Sequence, residues 1–516
     1  MNVIQARSGH GDEKACAAVA MLRELMLKRC VATVVWSPRA RKLRQRLVLG
    51  ALFVLTLMVL VVRLELELDA SFVEANTLVL QGGFPAILIN SSSLVSSQSL
   101  RSSSLSFGGT MDFKMAALVE KQKRKWLATS YKPRLGRHER EPRCSKLIVD
   151  DEEEQARARK FMEEHERLEK PPLVYLQETK NCSRFVQERG YIMSATEEEK
   201  AFPIAYSIMM YTGVEQTERM LRAIYRPHNY HCIHVDKKVP EDIMAAMQAI
   251  AECLPNVFIA SRLKEVYWAT YSSLEALIYC MQDLFKASAS WKYYINLTGQ
   301  EFPLKTNLQL VKILEALNGS NIVDASTDPD MTSRWYNNFQ PPHAIMPYKG
   351  MVFIIACRGF VDYLLHSHVA RDFLQWVSNT EMPDETYFPS LNHNPHLRVP
   401  GSYRGSPDTN ALTKPYLARF VNWNTNWKDG VGRYNFRFPC HGKRVRSVCI
   451  FGLGDLRWLT SRKELFANKF YADFEPLTLR CMEEWLLNMT VAEYSGRLLL
   501  NVSYYASLDI VRNKVV

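Results

Sequence analysis

The longest uncharged apolar block in the chain runs over residues 47–62, LVLGALFVLTLMVLVV. Arg41, Lys42, Arg44 and Arg46 precede it, and beyond Arg63 come Glu65, Glu67 and Asp69. Coiled as a helix, the block spans roughly 24 Å at 1.5 Å per residue, short for a bilayer but sufficient where flanking side chains snorkel. The basic side of a membrane segment stays in the cytosol, so the pattern predicts a cytosolic N-terminus and places everything after residue 63 across the membrane. A cleaved signal peptide does not carry so long a leader before its apolar core. The expected organisation is a cytoplasmic tail at 1–46, an anchor at 47–62, a stem at 63–140 and a globular domain at 141–516.

Beyond the anchor, residues 64–110 show neither a helical nor a strand period and contain SSSLVSSQSLRSSSLSFGG, the composition of a spacer. Residues 111–170 are charged and partly helical in pattern, with DDEEEQARARKFMEEHERLEK reading as a solvated helix face. From Phe202 the pattern changes. FPIAYSIMMY predicts a buried strand, GVEQTERMLRAIYRP a helix stopped by Pro227, and HCIHVD a second strand. EDIMAAMQAIAEC predicts a helix, NVFIAS a strand, SSLEALIYCMQDLFKAS a helix and WKYYINLTG a strand. Strands alternating with helices at this spacing predict βαβ units, hence an α/β fold with a mainly parallel sheet covered on both faces. Ligands of such sheets lie at the carboxyl ends of the strands. Asp236 closes the HCIHVD strand. There a carboxylate can accept from a ribose hydroxyl, and it can equally serve as a helix cap.

Composition narrows the function. The chain has 516 residues, 47% of them apolar and 23% charged, which excludes a disordered or fibrous protein. The formal charge of +11 would raise nucleic acid as a partner, but residues 1–46 alone hold ten Lys/Arg against three Asp/Glu. The rest is nearly balanced, and no basic domain exists. Nine of the 11 cysteines follow the stem, at 144, 182, 232, 253, 280, 357, 440, 449 and 481, which allows at most four disulfides and one thiol in an oxidising compartment. N-x-[ST] sequons stand at Asn90, Asn181, Asn296, Asn318, Asn488 and Asn501; Asn296 falls in a strand-like apolar run where modification is not expected. No GxGxxG follows the first strand, no Walker A loop is present, and CxxC and HExxH are absent. A nucleotide would bind this sheet without the usual phosphate loops, and zinc is not expected.

The runs LRAIYRPHNYHCIHVDKK, NVFIAS, WKYYINLTGQEFPLKTN, RVRSVCIFGLGDLRWL and ELFANKF resemble the core 2/I-branching β-1,6-N-acetylglucosaminyltransferases over roughly residues 140–485. The resemblance implies a GT-A, Rossmann-like nucleotide-sugar fold on a type II Golgi anchor. It also implies transfer of GlcNAc from UDP-GlcNAc to a C6 hydroxyl of Gal or GalNAc, on O-glycans or poly-N-acetyllactosamine of glycoproteins or glycolipids. The transfer would invert the anomeric centre and use no metal or other cofactor. In place of an Asp-x-Asp metal site such enzymes use an Arg and a Lys, which correspond here to Arg446 in VRSVC and Lys469 in FANKF. Asp328-Pro-Asp330 matches Asp-x-Asp literally but does not close an apolar strand, and two carboxylates fall short of the oxygen shell a hard cation takes.

The family's base is the Glu of a Ser-Pro-Asp-Glu turn, matched by Glu385 in Met382-Pro-Asp-Glu385, although Thr386-Tyr-Phe-Pro389 replaces the usual continuation. On the donor side the resemblance carries Met209, Asp236 and Trp268, the last in place of a Tyr. On the acceptor side it carries Asp324 in place of a Glu, Arg334, and Trp423, which could stack on a sugar or simply fill core. An acceptor Lys corresponds to Met331 and an acceptor Tyr to Thr425, so two polar contacts are lost. The family connectivity implies disulfides Cys144–Cys481, Cys182–Cys253, Cys232–Cys280 and Cys440–Cys449. Cys357 is left as the thiol, since the family's free Cys is Thr298 here. Two alternatives remain open. One is a relative with another donor or acceptor, such as a xylosyltransferase. The other is a luminal glycan- or nucleotide-binding protein that has lost turnover.

Overall fold

A computed structural model describes residues 141–516 apart from 165–168, 336–339, 411–413 and 424–438. The expected tail, anchor and stem, the Asn90 sequon and Thr425 lie outside the described residues. Among the described residues no helix is long and apolar enough to cross a membrane.

The alternation read from Phe202 onward is realised element by element. β1 (Ile204–Met210) leads to the helix Val214–Ile224, β2 (Tyr230–Val235) to the helix Glu241–Glu252, and β3 (Val257–Ile259) to the helix Tyr271–Ala287 and β4 (Tyr293–Thr298). β5 (Glu301–Pro303) leaves this sheet, and β6 (Ile355–Cys357) returns to its edge. The strand order is β3-β2-β1-β4-β6, parallel throughout except for the antiparallel β4–β6 pair. The chain therefore winds outward from β1 to β3 and then restarts on the other side of β1. That reversal leaves a crevice at the carboxyl ends of β1, β2 and β4.

The period of two along each strand divides the interior into two cores. Ile204, Tyr206, Ile208 and Met210 of β1 face one core with Ile233, Val235, Ile295 and Leu297, under the helices Val214–Ile224, Glu241–Glu252 and Asn307–Ala316. Ala205, Cys232 and Tyr294 face the other core, which includes Leu277 and Met281 of Tyr271–Ala287 and Phe360, Phe373 and Phe388 of later helices. Both faces being covered, the strands are buried along most of their length, with only a few polar residues such as Ser207, His231 and Asn296 among the apolar ones.

A second, smaller sheet orders β5, β10 (Phe466–Asn468) and β7 (Phe420–Val421), and a two-stranded hairpin joins β8 (Lys443–Val445) to β9 (Val448–Ile450). A third core of Phe302, Phe420, Phe451, Phe470 and Trp485 packs this sheet against the long helix Pro476–Tyr494. Cys144–Cys481 ties that helix to the first described one across 337 residues of sequence, Cys182–Cys253 links two helices, and Cys440–Cys449 closes the base of the hairpin.

Cys232 and Cys280, the fourth pair of the family connectivity, meet inside the second core with their sulfurs 2.6 Å apart, longer than the three closed disulfides. Burial and the neighbouring sulfur push the Cys232 thiol well above its usual range. Cys357 is also a free thiol. The Asn296 amide is buried, donating to Val352 O and accepting from Ile354 N–H, which leaves nothing for a glycan to attach to.

Candidate active site

Two of the expected donor residues, Met209 and Asp236, stand at the carboxyl ends of the strands. Met209 lies half-buried at the end of β1, between His234 of β2 and Thr298 of β4, and its carbonyl accepts from Gly299 N–H. Asp236, one residue past β2, is 6% exposed, and its N–H donates to Met210 O. Its carboxylate accepts from the Lys238 ammonium at 2.9 Å and from Val266 N–H at 3.3 Å. Lys238 in turn lies 4.4 Å over the Tyr267 ring. Trp268, the expected aromatic, is 76% exposed, whereas Tyr267 is the ring coupled to the Asp236–Lys238 pair. Sequence reasoning passed over Tyr267, although it adjoins the residue it chose.

Arg446 reaches the site by a local device. β8 and β9 pair Val445 with Val448, leaving Arg446 and Ser447 as a two-residue hairpin loop, with φ +48° and +67°. Two positive φ values are what a tight type I′ hairpin turn demands, and neither residue is the Gly or Asn that takes them freely. Arg444 braces the turn by donating to Asn422 O at 3.0 Å and to Ser447 O at 3.2 Å. The exposed Arg446 guanidinium is thus carried on a rigid tip.

Lys469 follows β10 directly. Its carbonyl accepts from Phe451 N–H, and Phe470 N–H donates to Gln300 O. Burial lowers the Lys469 ammonium from its usual range, the Arg446 guanidinium beside it lowers it further, and Glu301 opposes both. Beneath it the fully buried pair Arg419–Glu301, at 2.7 Å, takes Asn468 Nδ2 at 3.1 Å and so joins β5, β7 and β10. Among the described residues neither Arg446 nor Lys469 has an ion-pair partner. Two neighbouring cations that lack an ion-pair partner among the described residues can take an anion.

Glu385 stands in the first turn of the helix Asp384–Asn392. Its carboxylate pairs with Arg334 at 2.5 Å, both side chains being largely buried, and its carbonyl accepts from Gly350 N–H at 2.8 Å. The preceding turn docks on the donor side: Met382 N–H donates to Ala269 O, and Ser273 Oγ donates to Asp384 Oδ2 at 2.9 Å. Burial, then the charge of Glu385, raises the Asp384 carboxyl to about 6. Asp384 was not singled out in the sequence, though it stands next to the expected base.

Asp324 is 2% exposed and accepts from the Thr409 hydroxyl, so its carboxylate is covered in this structure. Trp423 bridges to Val448 and packs with Tyr416 and Phe353 on Met351, Val421 and Val448, which sets it beside the Arg446 hairpin. Tyr416 is the node that sequence reasoning missed. Burial raises its phenol, Arg419 opposes, and the carboxylates of Asp324, Glu301 and Glu385 raise it further.

Gly350 holds the two halves in register. A Cβ there would lie 2.1 Å from Asp324 O and 2.7 Å from Pro389 of the Glu385 helix. Both obstacles are backbone or a locked ring. Gly350→Ala is therefore expected to cost about 1–3 kcal/mol of stability through forced displacement. Thermal unfolding checks this, and an unchanged midpoint would mean the contact gives way freely.

The His/Cys/Asp/Glu grouping among the described residues that is compact enough for a metal is Cys440, Cys449 and Asp455, and its two sulfurs are spent in a disulfide.

Comparison with known proteins adds a family. Residues 204–460 match the model of the Core-2/I-Branching enzyme family. The chain is 38% identical over 332 residues to a human β-1,3-galactosyl-O-glycosyl-glycoprotein β-1,6-N-acetylglucosaminyltransferase, covering 61% of this chain and 77% of the relative. A second human enzyme of that name, numbered 3, is 36% identical over 329 residues, 60% of this chain and 74% of its own. A bovine herpesvirus 4 enzyme of the same name is 35% identical over 341 residues, 62% and 77% respectively.

Proposed function

Because the chain belongs to the core-2/I-branching enzyme family, we propose that it transfers GlcNAc from UDP-GlcNAc in β-1,6 linkage to Gal or GalNAc of O-glycans or poly-N-acetyllactosamine, inverting the anomeric centre without a metal. The 47–62 segment would hold it in the Golgi membrane with residues 63–516 luminal.

The observation that most supports the reading is that Arg446 acts on Lys469 as a neighbouring cation and that, among the described residues, neither has an ion-pair partner. Arg offers a planar fork to phosphate oxygens and Lys a compact charge, and together they would stabilise the diphosphate as it departs. Met209, Asp236 and the Tyr267–Trp268 aromatics would hold the nucleoside. Glu385 would accept the proton of the acceptor hydroxyl as it attacks the anomeric carbon opposite UDP. Arg334, Asp324 and Trp423 would orient the acceptor sugar, with Arg334 exchanging its bond to Glu385 for one to the sugar.

The test is transfer by the full-length chain from UDP-GlcNAc to a core 1 disaccharide in EDTA. Product with a new β-1,6 linkage is the expected result. Silence in EDTA with activity restored by manganese would sink the metal-free account. Silence in both, with UDP still bound, would favour a binding protein that has lost turnover.

A further inference from the structure

The donor site contains more positive charge than Arg446 and Lys469. Lys443, the first residue of β8, is exposed, and its ammonium lies 5.6 Å from the centre of the Tyr471 ring and 4.5 Å from that of Phe474. Lys469 lies 5.4 Å from the same Tyr471 ring. One aromatic side chain is thus shared by two ammonium groups, and the carboxylate of Asp473 and, opposing it, the guanidinium of Arg446 act on its phenol. Tyr211, at the end of β1 and 60% exposed, acts on the same phenol from the sheet side.

Tyr471 is not a loosely placed ring. The buried amide of Gln216, on the helix Val214–Ile224, brackets it. Its Nε2 donates to Phe470 O at 2.6 Å, and its Oε1 accepts from Ala472 N–H at 2.9 Å. The backbone on both sides of Tyr471 is therefore locked to the helix that follows β1. Phe470 is sunk in the third core. The ring face is fixed relative to the strand ends, and cations held against such a face lose part of their freedom before any ligand arrives.

We propose that Lys443 is a third cation for the departing nucleoside diphosphate and that Tyr471 is the residue that positions Lys443 and Lys469. The inference rests on the donor reading above. A nucleoside diphosphate sugar carries two negative charges on its diphosphate. As the bond from the anomeric carbon to the β-phosphate oxygen breaks, its electron pair stays on that oxygen and adds a third. Arg446 and Lys469 match the charge of the bound donor; Lys443 supplies the cation that the leaving group gains a use for, and charge met only as it develops accelerates the step.

The experiment measures UDP and UMP binding to the full-length chain by titration calorimetry, together with donor kinetics. Lys443→Met is expected to weaken UDP about tenfold, the loss of one hydrogen bond to a charged group, and to leave UMP within about twofold. Its kcat should fall more than its donor KM changes. Tyr471→Leu should reproduce the selective loss of UDP, and Tyr471→Phe, which keeps the ring face, should restore it. A lysine that merely covers two rings predicts something else: unchanged UDP affinity in Lys443→Met, or equal losses for UMP and UDP. Either result overturns the inference while leaving the donor reading in place. A wild-type chain that binds no UDP at all overturns both.

Discussion

Glu385→Gln is expected to lower kcat by about 10³-fold or more, the upper part of what a positioned general base contributes, while UDP binding stays within about twofold. The amide keeps the shape of the side chain and its place at the start of the Asp384–Asn392 helix, but cannot take a proton. Arg334 would lose its ionic partner at 2.5 Å, so Arg334→Gln in the same background should cost little more, because the two side chains act as one unit. The pH profile supplies an independent reading. Asp384, raised to about 6 by burial and by the charge of Glu385, stays protonated at acid pH and ionises beside the base as pH rises. The acid limb of the rate should therefore carry the Asp384 ionisation, and Asp384→Asn should remove that ionisation from it. A Glu385→Gln enzyme that keeps more than a tenth of wild-type kcat would assign the proton to another group.

Arg446→Ala and Lys469→Ala should each lower kcat/KM by about 10²–10³-fold, the range found when one preorganised donor to a developing charge is removed. They should not add. The Arg446 guanidinium lowers the Lys469 ammonium, so removing Arg446 relieves a repulsion as well as losing a contact. The double variant should fall short of the product of the two losses, and UDP affinity measured directly should follow the same order. Arg446→Lys separates charge from geometry. It keeps the cation at the hairpin tip but loses the planar fork, and should recover only part of the activity. Full activity in Lys469→Ala would place the leaving group elsewhere on the molecule.

Much of this site is legible in the chain, and the reason differs from residue to residue. The strands and helices from Phe202 to Thr298 follow from side-chain period alone, and with them the placement of Met209 and Asp236 at strand ends. Glu385, Arg446 and Lys469 are single charged residues that no period or composition marks; they were identified only because long matched motifs surround them. Tyr267, Asp384, Tyr416 and Lys443 carry no such mark. Tyr416 matters because its phenol feels the charge of acids from three segments, and Lys443 because its ammonium lies on rings 28 and 31 residues farther along the chain, Tyr471 and Phe474.

The cysteines show the same division. Their number and the compartment they imply are properties of the sequence. Three of the four family pairings are closed in the structure, while the sulfurs of Cys232 and Cys280 meet at 2.6 Å. By itself the sequence determined the α/β class, the direction of the strands and the family, because burial on two sheet faces imposes a local period and motifs are contiguous. Tertiary structure alone decided which charges share a crevice, which carboxylates are covered and which sulfurs meet. Those facts depend on distances between segments that are not neighbours in the sequence, and a chain's local pattern carries no record of them.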